Sequence, residues 1–366
     1  MRGLLRASGY LTVFVPPALL VAGIASGHAW LACAAVFAVA PFLRAVFGDV
    51  DERQPGDWSE RAATWLDRLP VVFALTFPVC LAVALWLIHG GALRGPGAWV
   101  GAGASLWTCF IFATVIGHEL VHQRRAGRRR LGRAIGGLVG YPVLGHEHMP
   151  HHATSGNVVD AEWPAVDESV WRFAVRRVQR VARSAVEYDA ALGQRLGGRW
   201  RGGLAEAIAL TVGTWTAFAL AGGLAGALLY GALLVGVWFA MQAITYLQHW
   251  GLGDDSVPEA REGQYAWEDG CRLQAWMTLS ITYHQAHHLA PSRPYYMAAP
   301  AAGSPRLPAG YVILLVTSLV PPLWRRLMEP ALAHWKDNPA TQLKPGRRLI
   351  CFYGTSAAET HSGDFS

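Results

Sequence analysis

The sequence predicts an all-α integral membrane protein of about six transmembrane helices, with a histidine-rich cap on one face. Three observations support this fold class. Of the 366 residues, 52% are hydrophobic and only 15% are charged, with 16 tryptophans and 40 glycines. Apolar stretches close to the length that crosses a bilayer recur along the chain. Histidines concentrate in three short clusters that follow such stretches or lie in the loops between them.

Six apolar stretches are predicted to span the membrane. They are residues 9–26, 29–48, 70–89, 98–117, 204–222 and 224–247. The pair Gly222-Gly223 predicts a tight hairpin between the last two. The stretches 131–144 and 310–324 are too short to cross, and we expect them to be re-entrant or interfacial. The membrane domain is predicted to occupy residues 1–330, and residues 331–366 to form a polar, partly disordered tail.

The distribution of arginine predicts the orientation. Residues 123–203 hold fourteen arginines, whereas the short loops on the opposite side hold only Arg94. Because positively charged loops stay in the cytoplasm, the histidine clusters are predicted on the cytoplasmic face of a bacterial-type inner (plasma) membrane. Within 168–201, apolar residues alternate with arginines, which predicts an amphipathic helix lying on anionic lipid headgroups. A docking surface for an acidic electron carrier is the alternative. The basic face consists of Arg172, Arg176, Arg177, Arg180 and Arg183.

Ten of the fourteen histidines lie in the three clusters. They are His118, His122, His146, His148, His151 and His152, then His249, and then His284, His287 and His288. His118 and His122 are four residues apart, so they share one face of a helix. Polar groups at membrane depth are costly and usually functional, so histidines clustered on one face predict metal binding. The isolated His28, His89, His334 and His361 are predicted to have no such role.

The choice of metal separates two classes of enzyme. HELVH matches the HExxH signature of zinc proteases, with Glu119 as the general base. That interpretation uses only His118 and His122, whereas a large set of nitrogen ligands fits two iron ions. The five cysteines are dispersed and form no CxxC pair, which argues against an iron–sulfur cluster in this chain. An electron donor would therefore be a separate chain, and nothing in the sequence indicates a nucleic-acid partner.

Four motifs carry a family resemblance. HELVHQ, EHMPHH, LQHWGL and YHQAHHLAPSRPY resemble the histidine boxes of membrane alkane monooxygenases and the related xylene monooxygenases. These belong to the wider superfamily of membrane fatty-acid desaturases and hydroxylases. The resemblance covers residues 98–300, and the order of boxes against predicted spans also agrees.

The resemblance implies a non-haem di-iron monooxygenase with O2 as co-substrate. It implies a separate rubredoxin or ferredoxin with an NAD(P)H reductase, and a hydrophobic alkane, alkylaromatic or acyl substrate from the bilayer. Hydroxylation would take place at an unactivated C–H bond, such as a terminal or benzylic methyl group. Desaturation by the same site is the alternative. The implied iron ligands are His118, His122, His148, His151, His152, His249, His284, His287 and His288.

The second histidine box departs from the monooxygenase pattern. Two residues separate His148 from the His-His pair, where that branch usually has three, and Pro150 is one of the two. Since proline is tolerated at the start of a helix but not inside it, His148 is predicted to lie before the helix of His151 and His152. His146 is then an alternative ligand.

Several other residues have candidate roles near the clusters. Ring N–H groups of metal-bound histidines need acceptors, for which Glu119, Glu147, Asp160 and Glu162 are candidates. Arg293 and Tyr295 are predicted to pin the loop after the last box. The small residues Ala102, Gly103, Ala104 and Ala243 are predicted to serve helix packing, with room for substrate as the alternative.

Overall fold

The computed structural model describes residues 6–50, 57–158, 162–198, 202–253, 265–337 and 345–353. In these residues every regular element is a helix, and extended backbone pairs only in isolated bridges, which confirms the all-α class. In chain order the helices are α1 (Arg6–Ala25), α2 (Leu31–Phe47), α3 (Glu60–His89), α4 (Pro96–Val121), α5 (Ala126–Leu138), α6 (Leu144–Ala153), α7 (Val170–Arg195), α8 (Leu204–His249), α9 (Arg272–Met277), α10 (His284–Leu289), α11 (Tyr311–Ser318) and α12 (Pro321–Asp337).

Four of the described helices, α1, α3, α4 and α8, are long and apolar enough to cross a membrane. Helix α2, predicted as a span over 29–48, is shorter. Its backbone widens into a π turn at Ala35–Val39, which ends two residues before Pro41. A proline lacks the N–H of the regular ladder and clashes with the carbonyl four residues earlier, which accounts for the wider turn.

Helix α8 is a hairpin of two helical arms. Its 46 residues contain one residue outside the helical region, Gly223, with φ 60° and ψ −142°. The ring centroids of Phe218 and Tyr230 are 5.1 Å apart, whereas twelve residues of straight helix would separate them by roughly 18 Å. The chain therefore reverses at the glycine pair, as predicted, and brings His249 back toward the side where α8 began.

Helix α3 begins before its predicted boundary. It starts at Glu60 instead of residue 70, and the Ser59 hydroxyl accepts a hydrogen bond from the Ala62 N–H at 3.3 Å. This side-chain cap satisfies one of the free N–H groups at the helix start. Helix α4 likewise runs past residue 117 to Val121, so His118 lies within its last turn.

A glycine contact sets α5 against α4 beside the histidines. A Cβ atom on Gly132 would lie 2.6 Å from the carbonyl oxygen of Gly117, so only glycine allows this close approach. After α5 the chain turns at Gly140, with φ +79°, and returns as α6. The apolar stretch 131–144 is therefore the end of one helix, a turn and the start of the next.

Candidate metal centre

The nine histidines predicted as ligands lie together in two adjacent groups. Within each group, one nitrogen from every ring lies within 4.8 Å of the others. The rings come from the end of α4, from α6, from the last residue of α8 and from α10. The first group is His118, His122, His148, His152 and His287, and the second is His151, His249, His284 and His288.

The nitrogens of the first group converge on one point. The Nε2 atoms of His118 and His148 are 2.6 Å apart, and Nε2 of His152 lies 2.8 Å from that of His148 and 3.0 Å from that of His287. Among the described residues, the buried Nε2 of His122 has no hydrogen-bond partner. A neutral imidazole has one donor and one acceptor nitrogen, so five rings that meet at one point cannot satisfy each other. A first-row transition metal such as iron fits this donor set.

Two rings of the second group, those of His151 and His249, are oriented through their outer nitrogens. Nδ1 of His151 donates to Glu162 Oε2 at 3.2 Å, and Nδ1 of His249 donates to the carbonyl of Tyr265 at 2.7 Å. With Nδ1 protonated, Nε2 carries the lone pair that a metal requires. Nε2 of His284 lies 3.1 Å from that of His249 and 3.3 Å from that of His288. The second group therefore also presents converging lone pairs.

Burial keeps His148, His152 and His287 in the neutral form by lowering their pKa values. For His152, burial and then the neighbouring imidazoles lower the pKa from 6.5 to about 2. The same two causes hold the pKa of His148 and the pKa of His287 well below 6.5. A neutral ring is the form that donates a lone pair to a metal.

The structure separates the roles of His148 and His146. Helix α6 runs unbroken from Leu144 to Ala153 with Pro150 inside it, so the prediction that His148 precedes the helix is wrong. The proline removes only one helical hydrogen bond, and the ladder resumes where Thr154 N–H donates to the Pro150 carbonyl at 3.1 Å. His146 points away from both groups, and its Nε2 lies 3.0 Å from Asp189 Oδ1.

An unbroken α6 also explains why neighbouring histidines serve different groups. His148 and His152 are four residues apart and therefore share one helix face, and both belong to the first group. His151 projects about 100° away from His152, into the second group.

A buried ion network lies behind His151, and sequence reasoning missed its centre. Arg177 is 2% exposed, and its NH2 lies 3.2 Å from Glu147 Oε2 and 3.3 Å from Glu162 Oε2. Its other terminal nitrogen donates to Gln242 Oε1 on α8 at 2.5 Å. The prediction that Arg177 belongs to a basic outer face is therefore wrong. The signal was present in the sequence, because Arg177 follows the buried Phe173 by one helical turn.

Arg177 also sets the charge state of Glu162. Burial opposes ionisation of this carboxyl, but the hydrogen bond from His151 and the charge of Arg177 outweigh burial and lower its pKa from 4.5 to about 2. Glu162 is therefore a carboxylate at neutral pH and accepts a hydrogen bond from the Nδ1–H group of His151, as predicted. Glu147 pairs with Arg177 and Glu119 accepts from Gln123 at 2.8 Å, while Asp160 lies outside the described residues.

Trp163 packs against the second group and was not predicted. Its ring centroid lies 4.8 Å from that of His151, in a stacked arrangement, and 4.0 Å from that of His249. Its indole N–H donates to the Tyr265 carbonyl at 2.9 Å. This side chain is fully buried, so it fixes the planes of two imidazoles and excludes water behind them. Its adjacency to Glu162 was the only sequence signal.

Helix α10 is held in place from behind by a buried carboxylate. Glu268 accepts from the backbone N–H of Ala286 at 2.9 Å, from Ser304 Oγ at 2.6 Å and from Arg306 NH1 at 2.9 Å. These contacts join the third histidine box to the segment that follows it. The Tyr295 hydroxyl donates to the Leu66 carbonyl on α3 at 2.9 Å, so Tyr295 pins the loop as predicted.

An apolar cavity of about 150 Å³ opens next to the histidines. It reaches rings of both groups, including His118, His148, His151 and His284. Its walls are largely aliphatic and aromatic, from Val36, Phe37, Ile111, Phe112, Met241 and Ile244. Ala102, Gly103, Ala104 and Ala243 do not line it, and a Cβ on Gly103 would lie 3.0 Å from Leu229 Cδ1, so helix packing accounts for that position.

The helices and the two histidine groups define a class: an integral membrane protein with a multi-histidine centre beside an apolar cavity. The chain belongs to the fatty acid desaturase family, whose family model matches residues 94–316. This range contains every histidine of the two groups.

Curated relatives extend the similarity over most of the chain. It is 26% identical over 336 residues to alkane 1-monooxygenase 2 of Pseudomonas aeruginosa, covering 87% of this chain and 88% of the relative. It is 24% identical over 376 residues to alkane 1-monooxygenase 2 of Alcanivorax borkumensis, covering 94% and 96%. For alkane 1-monooxygenase of Pseudomonas putida the identity is 22% over 336 residues, covering 86% and 80%. The predicted resemblance, and with it an oxidoreductase of the desaturase–hydroxylase superfamily, is confirmed.

Proposed function

We propose that this protein is a membrane-bound non-haem di-iron monooxygenase that hydroxylates an unactivated C–H bond of a hydrophobic substrate. The observation that carries the proposal is the pair of converging histidine groups at the end of an apolar cavity. The relatives named alkane 1-monooxygenase support an alkane-like substrate, with an alkylaromatic or acyl chain also in the proposed class.

Each histidine group would hold one iron. One iron would bind to His118, His122, His148, His152 and His287, and the other to His151, His249, His284 and His288. When bound, a di-iron centre supplies the activation of O2, with one oxygen atom going to the substrate C–H bond and the other leaving as water after uptake of two electrons and two protons. The spacing of the groups supports their joint action, because the rings of His152 and His288 are 4.5 Å apart.

The remaining residues have supporting tasks in this proposal. Glu162 keeps the proton of His151 on Nδ1, and the Tyr265 carbonyl does the same for His249. The apolar cavity walls exclude water and orient a hydrocarbon by shape, since they offer few polar partners. Substrate would enter from the bilayer. Two electrons would come from a separate rubredoxin or ferredoxin with its NAD(P)H reductase.

The proposed topology has six membrane crossings in one domain over residues 1–330. Helices α1 to α4 and the two arms of α8 would supply them, with the histidine face in the cytoplasm and the chain in a bacterial inner membrane. The arginine-rich segment between α4 and α8 supports this orientation. Cysteines introduced in place of Arg94 and Arg183, and labelled from either side of the membrane, test this orientation.

Metal and product analysis test the function. Purified protein should contain two irons per chain, and cells expressing it should convert an n-alkane to the primary alcohol. One tightly bound zinc and no iron would indicate the HExxH protease instead. Because the family model is that of fatty acid desaturases, desaturation is the second candidate, and an alkene without alcohol would establish it.

A further inference from the structure

A second cavity lies on the histidine face of the protein, apart from the apolar one. It has a volume of about 320 Å³. Its walls come from the first described turns of α1, from the segment after α2, from the residues just before α3 and from α9. Its walls include Arg6 and Arg272, together with Tyr283, Trp58 and Trp276. A cavity that combines cations with aromatic rings differs from the hydrocarbon-like walls of the first.

Two arginines, Arg6 and Arg272, line this cavity. Among the described residues, neither Arg6 nor Arg272 has a carboxylate partner, and Arg272 NH2 donates only a long hydrogen bond, 3.5 Å, to the backbone carbonyl of Asp49. The Asp49 carboxylate itself is taken by Arg44 at 2.6 Å. The described lining of the cavity therefore has two positive charges and no carboxylate.

A tyrosine hydroxyl adds a third polar group to the cavity wall. Tyr283 lines the cavity, and no hydrogen bond joins its hydroxyl to any described residue. This hydroxyl is therefore available to a ligand in the cavity. The neighbouring aromatic groups are satisfied: the Trp58 indole donates to the Tyr296 carbonyl at 2.7 Å, and the Tyr10 hydroxyl bonds Ser280 Oγ at 3.1 Å.

We propose that this cavity binds the phosphate group of an anionic phospholipid. Two guanidinium groups and a hydroxyl match the oxygens of a phosphate diester, and tryptophan and tyrosine are the residues that favour the headgroup level of a bilayer. Helix α2 ends at Phe47, and Val50 and Trp58 in the segment that follows line the cavity. In the proposed topology this cavity therefore lies at the cytoplasmic end of α2, at the level of the lipid headgroups.

The bound lipid would stabilise the third histidine box. Tyr283 directly precedes His284, and the Tyr10–Ser280 hydrogen bond ties α1 to the loop that leads to it. Leu279 and Ser280 in that loop have positive φ angles of 49° and 60°. Such backbone conformations are unfavourable for residues other than glycine and persist only when surrounding contacts hold them. A ligand on Tyr283 adds one more contact of this kind.

Lipid titration of the full-length protein in detergent tests the proposal. The midpoint of thermal unfolding is followed while phosphatidylglycerol, phosphatidylcholine or inorganic phosphate is added. We expect phosphatidylglycerol to stabilise at lower concentration than phosphatidylcholine. In Arg6→Gln, Arg272→Gln and Tyr283→Phe, the phosphatidylglycerol concentration that gives half-maximal stabilisation should rise. We expect a rise of about tenfold for each arginine variant, because charge-assisted hydrogen bonds are stronger than neutral ones.

The matched control is Arg94→Gln, an exposed arginine in the loop between α3 and α4, at the opposite end of these helices. It should leave the lipid response unchanged. Stabilisation by inorganic phosphate at the same concentration would assign the site to free phosphate instead of lipid. An equal response to both lipids, or an equal loss in Arg94→Gln and Arg272→Gln, would overturn the site. Tyr283→Phe removes a single oxygen, so it keeps the test decisive if an arginine variant fails to fold.

Discussion

Replacing Glu162 by glutamine should weaken metal binding in the four-histidine group and leave metal binding in the five-histidine group unchanged. Glu162 is buried, with 2% of its side chain exposed, and it accepts the Nδ1 proton of His151 at 3.2 Å while it pairs with Arg177 at 3.3 Å. Glutamine has the same shape and still offers a carbonyl to His151, but the negative charge is lost. Charge-assisted hydrogen bonds are roughly twice as strong as neutral ones, so His151 becomes a poorer ligand.

The expected loss is a 10- to 100-fold weaker affinity for the metal in the four-histidine group, the usual effect of removing a hydrogen-bond partner of a ligand. This corresponds to about 1.4 to 2.7 kcal/mol. The assay is metal content by mass spectrometry during titration with an iron chelator. Wild-type protein should lose both irons at high chelator concentration, whereas Glu162→Gln should pass through a state with one iron per chain.

Glu168→Gln provides the matched control. Glu168 is also a buried acid that pairs with an arginine, Arg176, at 2.6 Å, but it does not contact a histidine. Its replacement should lower overall stability without changing the chelator concentrations at which iron is lost. If Glu162→Gln retains both irons as firmly as the wild type, or if both variants lose metal alike, the reasoning about His151 is refuted.

Three further variants have expected outcomes. His287→Ala should abolish activity and lower iron content while the protein still inserts into the membrane normally. His334→Ala should match the wild type in activity and in iron content. Full activity in His287→Ala would remove His287 from the ligand set. His146→Ala should keep both irons, yet lower stability by about 0.5–1.5 kcal/mol in thermal unfolding, because the hydrogen bond between the buried imidazole and Asp189 is lost. A loss of iron in this variant would restore His146 as a ligand. Gly132→Ala should destabilise the protein by about 1–3 kcal/mol through overpacking, while Gly127→Ala, with open space around it, should be neutral in the same unfolding assay.

Local sequence patterns were sufficient for the all-helical class of fold and for the shared helix face of His118 and His122, whereas the full set of nine histidines came from the family resemblance. His118 and His122 lie one helical turn apart, so their shared face follows from spacing alone. The hairpin at Gly223 follows from a glycine pair between two apolar stretches. Hydropathy could not find the start of α3, because Glu60 and the residues after it continue the helix beyond the apolar part.

Features that depend on contacts between distant segments could not be predicted from local sequence patterns. Arg177 looked like one more arginine of a basic face, since nothing local shows that Glu147 and Glu162 lie opposite it. Trp163 packs against His249 only because the second arm of α8 brings that histidine next to the indole ring. Pro150 was misleading for the opposite reason: a local rule predicted a helix start, but the packing of α6 against α7 and the histidine groups outweighs one lost hydrogen bond.

The division of histidines between the groups has a consequence for how the centre is assembled. Helix α6 gives His148 and His152 to one group and His151 to the other, and α10 likewise gives His287 to the first and His284 to the second. Binding of either ion would therefore immobilise the same two short helices. The entropy lost in ordering them would be borne mostly by the first ion, so the second would bind more tightly. In the proposed di-iron enzyme the centre would fill cooperatively, and chains with a single ion would be scarce when iron is limiting.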